Sequence, residues 1–325
     1  MSISVSAREL HQNTIVVDAH CDTLTDLLKK RRSLNQLSTA GHLDLPRMKA
    51  GGINLQFFAA FISPEFKYTA LSRTMEIIDL FYSEMELNSE DIVPVKNAES
   101  IYKVIEEGKI AALLTIEGGE ALMGELYNLR MLYRIGVRGL TLTWNGRNEL
   151  ADGVGEQYTG GGLTGFGKAV VQEMNRLGMI IDVSHISERG FWDVLDLSST
   201  AVIASHSNCK NICDHPRNLT DAQIVALAQK GGVVGLSFVP QFISSTHGDL
   251  DKFLNHVDHI ACLAGVDCIG LGSDFDGIDN VAKGLEDGTK LPDITEGLLK
   301  RGYREEDIKK ILGGNLLRVI SNILR

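Results

Sequence analysis

Along this chain one pattern recurs about eight times: a short β-branched or apolar run ends in a polar residue or glycine, and an amphipathic segment follows. The runs cover residues 15–17, 53–61, 110–116, 137–144, 179–183, 201–204, 232–238 and 268–271. Helical periodicity fills the intervals, for example over residues 71–85, 98–107, 165–177, 221–229 and 249–264, and again over 305–312 and 315–323. Near-continuous apolar strands alternating with helices predict a parallel sheet covered on both faces. Eight such units favour a closed (β/α)8 TIM barrel over an open doubly wound α/β sheet. No Gly/Ser-rich or Pro-rich linker interrupts the pattern, so residues 1–325 read as a single barrel domain. The glycine cluster at 153–167 follows the fourth run, where a long loop is expected to lie over the active face.

Composition changes this picture little. The 325 residues are 44% hydrophobic and 23% charged, with a mean hydropathy near zero, which supplies a large core. The net charge of −10 is spread without long like-charge runs, giving no electrostatic reason to expect nucleic acid. The first residues lack the basic and apolar regions of a secretory signal. The longest apolar stretches, such as 110–116, are too short to span a bilayer. A cytoplasmic protein without membrane contact is expected. Five cysteines, an odd number in a chain of this size, fit reduced thiols better than a disulfide framework.

The candidate chemistry sits where the runs end. The first ends in His20-Cys21-Asp22, the third at Glu117, the fifth at His185, the sixth at His206 and the eighth at Asp274. Side chains alternate faces in extended backbone, so His20 and Asp22 point one way and Cys21 the other. In a barrel all these ends converge on the C-terminal rim, where catalytic residues sit. Each residue has an ordinary reading by itself: a hydrogen-bonded HxD pair, a core histidine, a helix-capping glutamate, an acidic turn. Together those readings require five unrelated accidents at the same end of different strands. Imidazoles with carboxylates suit zinc, and this set is large enough for two metals sharing a bridging oxygen.

The segments VVDAHCDT, TIEGG, DVSH, SHSN, RNLTD, GLGSDFDG and GGNLLRV resemble, in order, those of the membrane (renal) dipeptidase family of zinc peptidases, within the metal-dependent amidohydrolases. The resemblance runs from about residue 15 to 319. It implies that His20 and Asp22 bind one Zn2+, that His185 and His206 bind a second, and that Glu117 bridges the two. It assigns Asp274 the proton of the attacking water and Arg217 the terminal carboxylate of a short peptide substrate. Asp276, two residues on, is the competing proton shuttle. The implied reaction is hydrolysis of dipeptides, including those with a C-terminal D-residue, by a hydroxide held between the zinc ions. A homodimer is the oligomeric state the resemblance suggests.

One departure matters. Mammalian members read LTH at the end of the fourth strand, where the histidine contacts the substrate carbonyl; this chain reads LTWNGRN. Trp144 and Asn145 become the candidate substrate contacts there, Trp144 as an apolar wall and Asn145 as a hydrogen-bond donor. Other amidohydrolase reactions, such as deamination or lactone opening, and a non-catalytic metal-binding barrel are the competing readings. No lysine stands at a strand end to serve as a carbamylated bridge, whereas Glu117 offers a carboxylate. Cys209, Cys213 and His215 do not match a recognised zinc spacing, and His256 and His259 read as packing or surface residues.

Overall fold

A computed structural model of the chain describes residues 3–324. The apolar runs form parallel strands: β1 (Val16–Asp18), β2 (Ile53–Phe61), β3 (Ile92–Val95), β4 (Ile110–Glu117), β5 (Gly139–Thr141), β6 (Ile180–Asp182), β7 (Ile203–Ala204), β8 (Val233–Leu236) and β9 (Ile269–Leu271). Neighbours follow in the order β2-β1-β9-β8-β7-β6-β5-β4, and a β2–β4 pairing closes the ring. The result is an eight-stranded parallel barrel surrounded by helices, as the repeating pattern predicts.

The ninth strand, β3, was not predicted. Its four residues, Ile-Val-Pro-Val, are short, and Pro94 lacks an N–H for a ladder on both sides. It lies outside the ring and shares one edge of β4. It pairs from Ile92↔Ile110 to Val95↔Leu113, and β5 takes the rest of that edge, from Thr115↔Gly139 to Glu117↔Thr141.

Alternation along β4 shows how the barrel is filled. Ala111 and Leu113 join an inner cluster with Val17, Leu55, Phe57, Ile180, Ile203 and Val233. Ile110, Ala112, Leu114 and Ile116 pack outward against the helices. Continuing the inward parity gives Thr115 and then Glu117, so the interior turns from apolar to polar toward the C-terminal rim. Thr115, Thr141, Asp182 and Ser205 share a small interior cavity beneath that rim.

At the opposite end the helix Asn315–Ile323 plugs the barrel. Leu316, Leu317, Val319, Ile320 and Ile323 belong to the same inner cluster as the strands. The predicted helix over 305–312 is shorter: Glu305–Lys309 runs through a π turn, Lys310–Gly314, into the final helix. Asn315 anchors the junction, its side-chain amide donating to Val266 O at 2.7 Å and Ile269 O at 2.8 Å. The glycine-rich loop after β5 is tied to the rim, with Val154 N–H donating to His185 O at 2.8 Å and Gly155 N–H to Asn145 O at 2.8 Å. Among the described residues no helix is long and apolar enough to cross a membrane.

Gly313 presses its backbone against the start of β1, where a Cβ would overlap the Ile15 carbonyl. Backbone cannot yield as a flexible side chain can. Gly313→Ala is therefore expected to destabilise the fold by about 1–3 kcal/mol, the range typical of overpacking. Denaturant unfolding checks this, and an unchanged midpoint contradicts the account of the plug.

Candidate active site

Each predicted ligand reaches the rim by its own local route. Beyond β1 a parallel bridge at Cys21 and Phe275 carries the pairing on to the helix cap at Asp22, fastened by Asp22 N–H to Phe275 O at 2.9 Å and Ala59 N–H to Cys21 O at 3.0 Å. His20 and Asp22 face the site, while Cys21 turns its thiol to Phe57 O at 3.3 Å. Glu117 is the last residue of β4. His185 and Asp274 lie beyond β6 and β9 in left-handed backbone, at φ 67° and 65°. Such conformations cost a non-glycine residue on the order of 1 kcal/mol or more and cluster at functional sites.

Glu117 stands between two groups. Its Oε2 lies 3.5 Å from His20 Nε2, which is 3.4 Å from Asp22 Oδ2. Its Oε1 lies 2.8 Å from His185 Nε2 and 3.5 Å from His206 Nε2. His20/Asp22/Glu117 and Glu117/His185/His206 each bring their donor atoms within 4.8 Å of one another, as do His20, His206 and Asp274. All of these residues are buried. Gly277 packs so closely that a Cβ there would overlap the carboxylates of Asp22 and Asp274.

The hydrogen bonds behind the imidazoles show what the donor set fits. His185 Nδ1 lies 2.7 Å from Asn145 Oδ1, and His206 Nδ1 lies 2.8 Å from Ser205 Oγ, whose own proton goes to Asp182. Both rings therefore carry their proton on Nδ1. Their bare Nε2 atoms face each other at 2.8 Å and both face Glu117. Three acceptors with no proton among them fit a cation. The buried, unpartnered Oδ1 of Asp22 adds a fourth free acceptor nearby.

Electrostatics agree with this reading. Burial, with Arg217 second, lowers His185 to about 4, and burial holds His206 well below the usual imidazole range. Both stay neutral and able to ligate. Burial disfavours charge on His20, but Glu117 and Asp22 outweigh it and raise that imidazole well above its ordinary value. Burial would raise Glu117, yet its histidine neighbours, His20 foremost, hold it below the usual carboxylate range. Burial and then Glu117 push Asp22 up to about 6. Burial, reinforced by the Asp22 and Glu117 carboxylates against the pull of His20 and Arg217, pushes Asp274 up to about 8.

Asp274 and Asp276 diverge because the strand does not continue: β9 ends at Leu271, and Asp276 also has a positive φ, 67°. The Asp276 carboxylate is saturated by Arg32 Nη2 at 2.8 Å, Thr23 Oγ1 at 2.7 Å and His42 N–H at 2.6 Å. Asp274 keeps a free carboxyl at the rim, with Oδ1 4.0 Å from His20 Nε2.

A pocket of about 390 Å3 opens above these groups, and Trp144, Asn145 and Arg217 line it. Trp144 sits 5.6 Å from the Phe61 ring and 6.1 Å from His185. Asn145 lines the pocket too and spends its amide oxygen on His185. Arg217 is only 5% exposed and forms no ion pair among the described residues, which excludes a surface salt bridge. Its Nη2 donates to His206 O at 3.0 Å, its guanidinium lies 5.4 Å from the Phe242 ring centroid, and its Nε is buried without a partner. Burial lowers it to about 10, so it remains charged. A buried, unpaired cation at a pocket wall calls for an anion.

Three further residues belong to this site beyond those the motifs name. His215 lines the same pocket, its Nδ1 accepting Arg217 N–H at 3.2 Å and its ring 4.5 Å from Phe242. Asp18 and Asp182 lie beneath the rim, each accepting bonds from neighbouring strands. The available signal was an aspartate ending an otherwise apolar buried run, VVD and IID, which needs several donors. Cys209 and Cys213 instead turn their thiols to backbone carbonyls, His256 O at 3.6 Å and Gln241 O at 3.2 Å, and hold no metal geometry. His256 is a buried packing residue that accepts Cys209 N–H at 3.1 Å, while His259 pairs with Asp221 at 2.7 Å.

The chain matches the family described as membrane dipeptidase (peptidase family M19) over residues 5–324. It is 34% identical over 294 residues to the dipeptidase verJ of Clonostachys rogersoniana, covering 87% of this chain and 76% of that protein. It is 34% identical over 296 residues to the dipeptidase aclJ of Aspergillus oryzae, covering 87% and 70%. Among solved structures, the dipeptidase AC, a metallopeptidase of family M19, superposes with a TM-score of 0.90 at 30% identity, over 96% of this chain and 99% of that one. A metallopeptidase from Rhodobacter sphaeroides, liganded with a phosphinate mimic of the dipeptide L-Ala-D-Ala, gives 0.88 at 29% identity, over 96% and 100%. Sequence, barrel and rim thus lead to one place: the chain belongs to the membrane dipeptidase family, peptidase family M19, and is a metal-dependent dipeptidase.

Proposed function

We propose that this chain hydrolyses dipeptides, including those with a C-terminal D-residue, using two zinc ions held by His20, Asp22, Glu117, His185 and His206. The observation that carries this reading is the two-sided position of Glu117, with one oxygen toward His20 and the other toward His185 and His206. A ligand set rich in imidazole favours zinc over calcium or magnesium. The L-Ala-D-Ala mimic bound by the Rhodobacter sphaeroides relative supports the substrate class.

Bound there, zinc supplies an acidified water and polarises the scissile carbonyl. The protein's residues do the rest. Asp274, with its carboxyl free at the rim, takes the water proton and passes it to the departing amine. Arg217, pre-charged and unpaired, grips the terminal carboxylate and limits the length of peptide that fits. His215 assists it: its Nδ1 accepts a backbone N–H, which leaves Nε2–H as a donor beside the guanidinium. Trp144 and Phe61 form the apolar wall, and Asn145 fixes the His185 ring while offering its NH2 to the substrate carbonyl.

Asp274→Asn should lower kcat by about 10²–10⁴-fold, the usual worth of a general acid–base group, with zinc content unchanged. Steady-state kinetics with metal analysis check this, and near-wild-type turnover contradicts the assignment. Arg217→Lys keeps the charge but loses the planar fork. It should raise KM for a dipeptide and erase the wild-type preference for the free acid over the C-terminal amide. A preference that survives the substitution rules out the carboxylate grip.

The pH dependence follows from the raised groups. Without metal, Asp274 and His20 bind protons in the folded state at a pH where the unfolded chain has released them. A raised folded-state pKa means stability falls as pH rises, here between about pH 6.5 and 8. The lowered values of His185 and His206 act only below that window. Metal-free protein should therefore melt at a lower temperature at about pH 8 than at about pH 6.5, and added zinc should raise the melting temperature more at the higher pH. Calorimetry at both values tests this; an equal or reversed zinc shift overturns it.

A further inference from the structure

Asp182 ends β6 inside the barrel and touches no predicted ligand, yet all its lone pairs are directed. Oδ1 accepts the backbone N–H of Ser184 at 3.0 Å and of Ser205 at 2.8 Å. Oδ2 accepts the hydroxyls of Thr141 and Ser205, each at 2.5 Å. One carboxylate thus fastens β5, β6 and the residues after β7. Because Ser205 gives its proton to Asp182, its oxygen can only accept from His206 Nδ1, 2.8 Å away. His206 N–H is held separately by Ser184 Oγ at 3.1 Å, which fixes the backbone and leaves the ring's proton to be set by Ser205 alone.

We propose that Asp182 is a positioning residue which, through Ser205, sets the tautomer of His206 and so decides whether the Glu117–His185–His206 half of the site can hold its metal. This rests on the reading that these three residues bind zinc. Asp18 provides the contrast. It fastens β1 to its neighbours in the same way, accepting Ser273 N–H at 2.8 Å, Ser273 Oγ–H at 2.6 Å and Gln56 Nε2–H at 3.0 Å, but its serine reaches the His20 backbone carbonyl, not the ring. Of these two strand-end aspartates, the one on β6 is wired through its serine to an imidazole and the one on β1 is not.

An isosteric change separates this role from a structural one. In Asp182→Asn the amide oxygen keeps both backbone N–H bonds, and the NH2 takes the place of Oδ2. Its two protons face the hydroxyls of Thr141 and Ser205, so Ser205 now accepts from Asn and frees its own proton, for which His206 Nδ1 at 2.8 Å is a nearer acceptor than Ser184 Oγ at 3.3 Å. The imidazole proton moves to Nε2 and covers the lone pair that faces Glu117. Shape and bond count survive while the relay reverses.

The test uses wild-type protein, Asp182→Asn and Ser205→Ala, each equilibrated against buffered free zinc for metal counting and each stripped of metal for 15N NMR of its histidines. We expect metal-free wild type to show His206 protonated on Nδ1 and Asp182→Asn to show it protonated on Nε2. Zinc affinity at one of two sites should fall by at least about 10–100-fold in Asp182→Asn, the range for losing an outer-sphere partner, with a smaller fall in Ser205→Ala. An unchanged His206 spectrum with both zincs retained at wild-type affinity overturns the proposal. If Asp182→Asn does not fold, Ser205→Ala decides, and unaltered zinc affinity there overturns it. A wild-type protein that binds fewer than two zincs defeats the two-metal reading instead; the metal-free tautomer then still judges the relay, and an Nε2–H on His206 sinks it.

Discussion

A carboxylate and two bare imidazole nitrogens held in van der Waals contact, out of water, repel one another, and the whole upper half of this barrel is organised around that repulsion. Glu117 Oε1, His185 Nε2 and His206 Nε2 lie 2.8–3.5 Å apart with their protons committed elsewhere. Burial keeps both imidazoles neutral and the neighbouring histidines keep Glu117 ionised, so the cluster does not relieve the repulsion by taking up protons. A cation turns the same arrangement into an attraction. The metal requirement of the family is therefore written into the shape of the protein before any ion arrives.

Closing the barrel is what makes the cluster achievable. The proposed ligands come from the ends of β1, β4, β6 and β7, with Asp274 following β9; in an open sheet the β2–β4 seam would be absent and the ends would spread along a line. Closure brings the ends into one mouth, and the interior beneath changes character step by step to hold them. Apolar side chains and the C-terminal helix fill the lower half. Above them Thr141, Asp182 and Ser205 form a hydrogen-bonded polar tier, with Asp18, Gln56 and Ser273 as a second set around β1. Side chains locked from below can hold a ligand geometry that loops alone would leave loose.

Much of this was legible in the sequence because barrel strands and motif ends carry strong, local signals. The alternation of apolar runs with helices marked the eight barrel strands, and β4, apolar from Ile110 to Ile116, pointed directly at Glu117. What escaped depends on contacts between distant segments. β3 is too short and too proline-marked to stand out. Asp274 and Asp276 share a motif; the resemblance favoured the first, but the physical reason, Arg32 and His42 closing on the second, comes from more than 230 residues earlier in the chain. His215 looked like part of a stray cysteine–histidine spacing until Phe242 and Arg217 gathered around it. The aspartates of VVD and IID were visible as letters, but their partners lie on other strands. Local pattern revealed which residues end the strands; only the closed fold revealed which of those ends are free to react.

In the proposed site Glu117 stands between two metal ions. Crystals of zinc-loaded protein, measured on either side of the zinc absorption edge, test it most directly. Two anomalous peaks about 3.5–4 Å apart are expected, one on each side of the Glu117 carboxylate. A single peak, or peaks that leave Glu117 outside the coordination sphere, would contradict it.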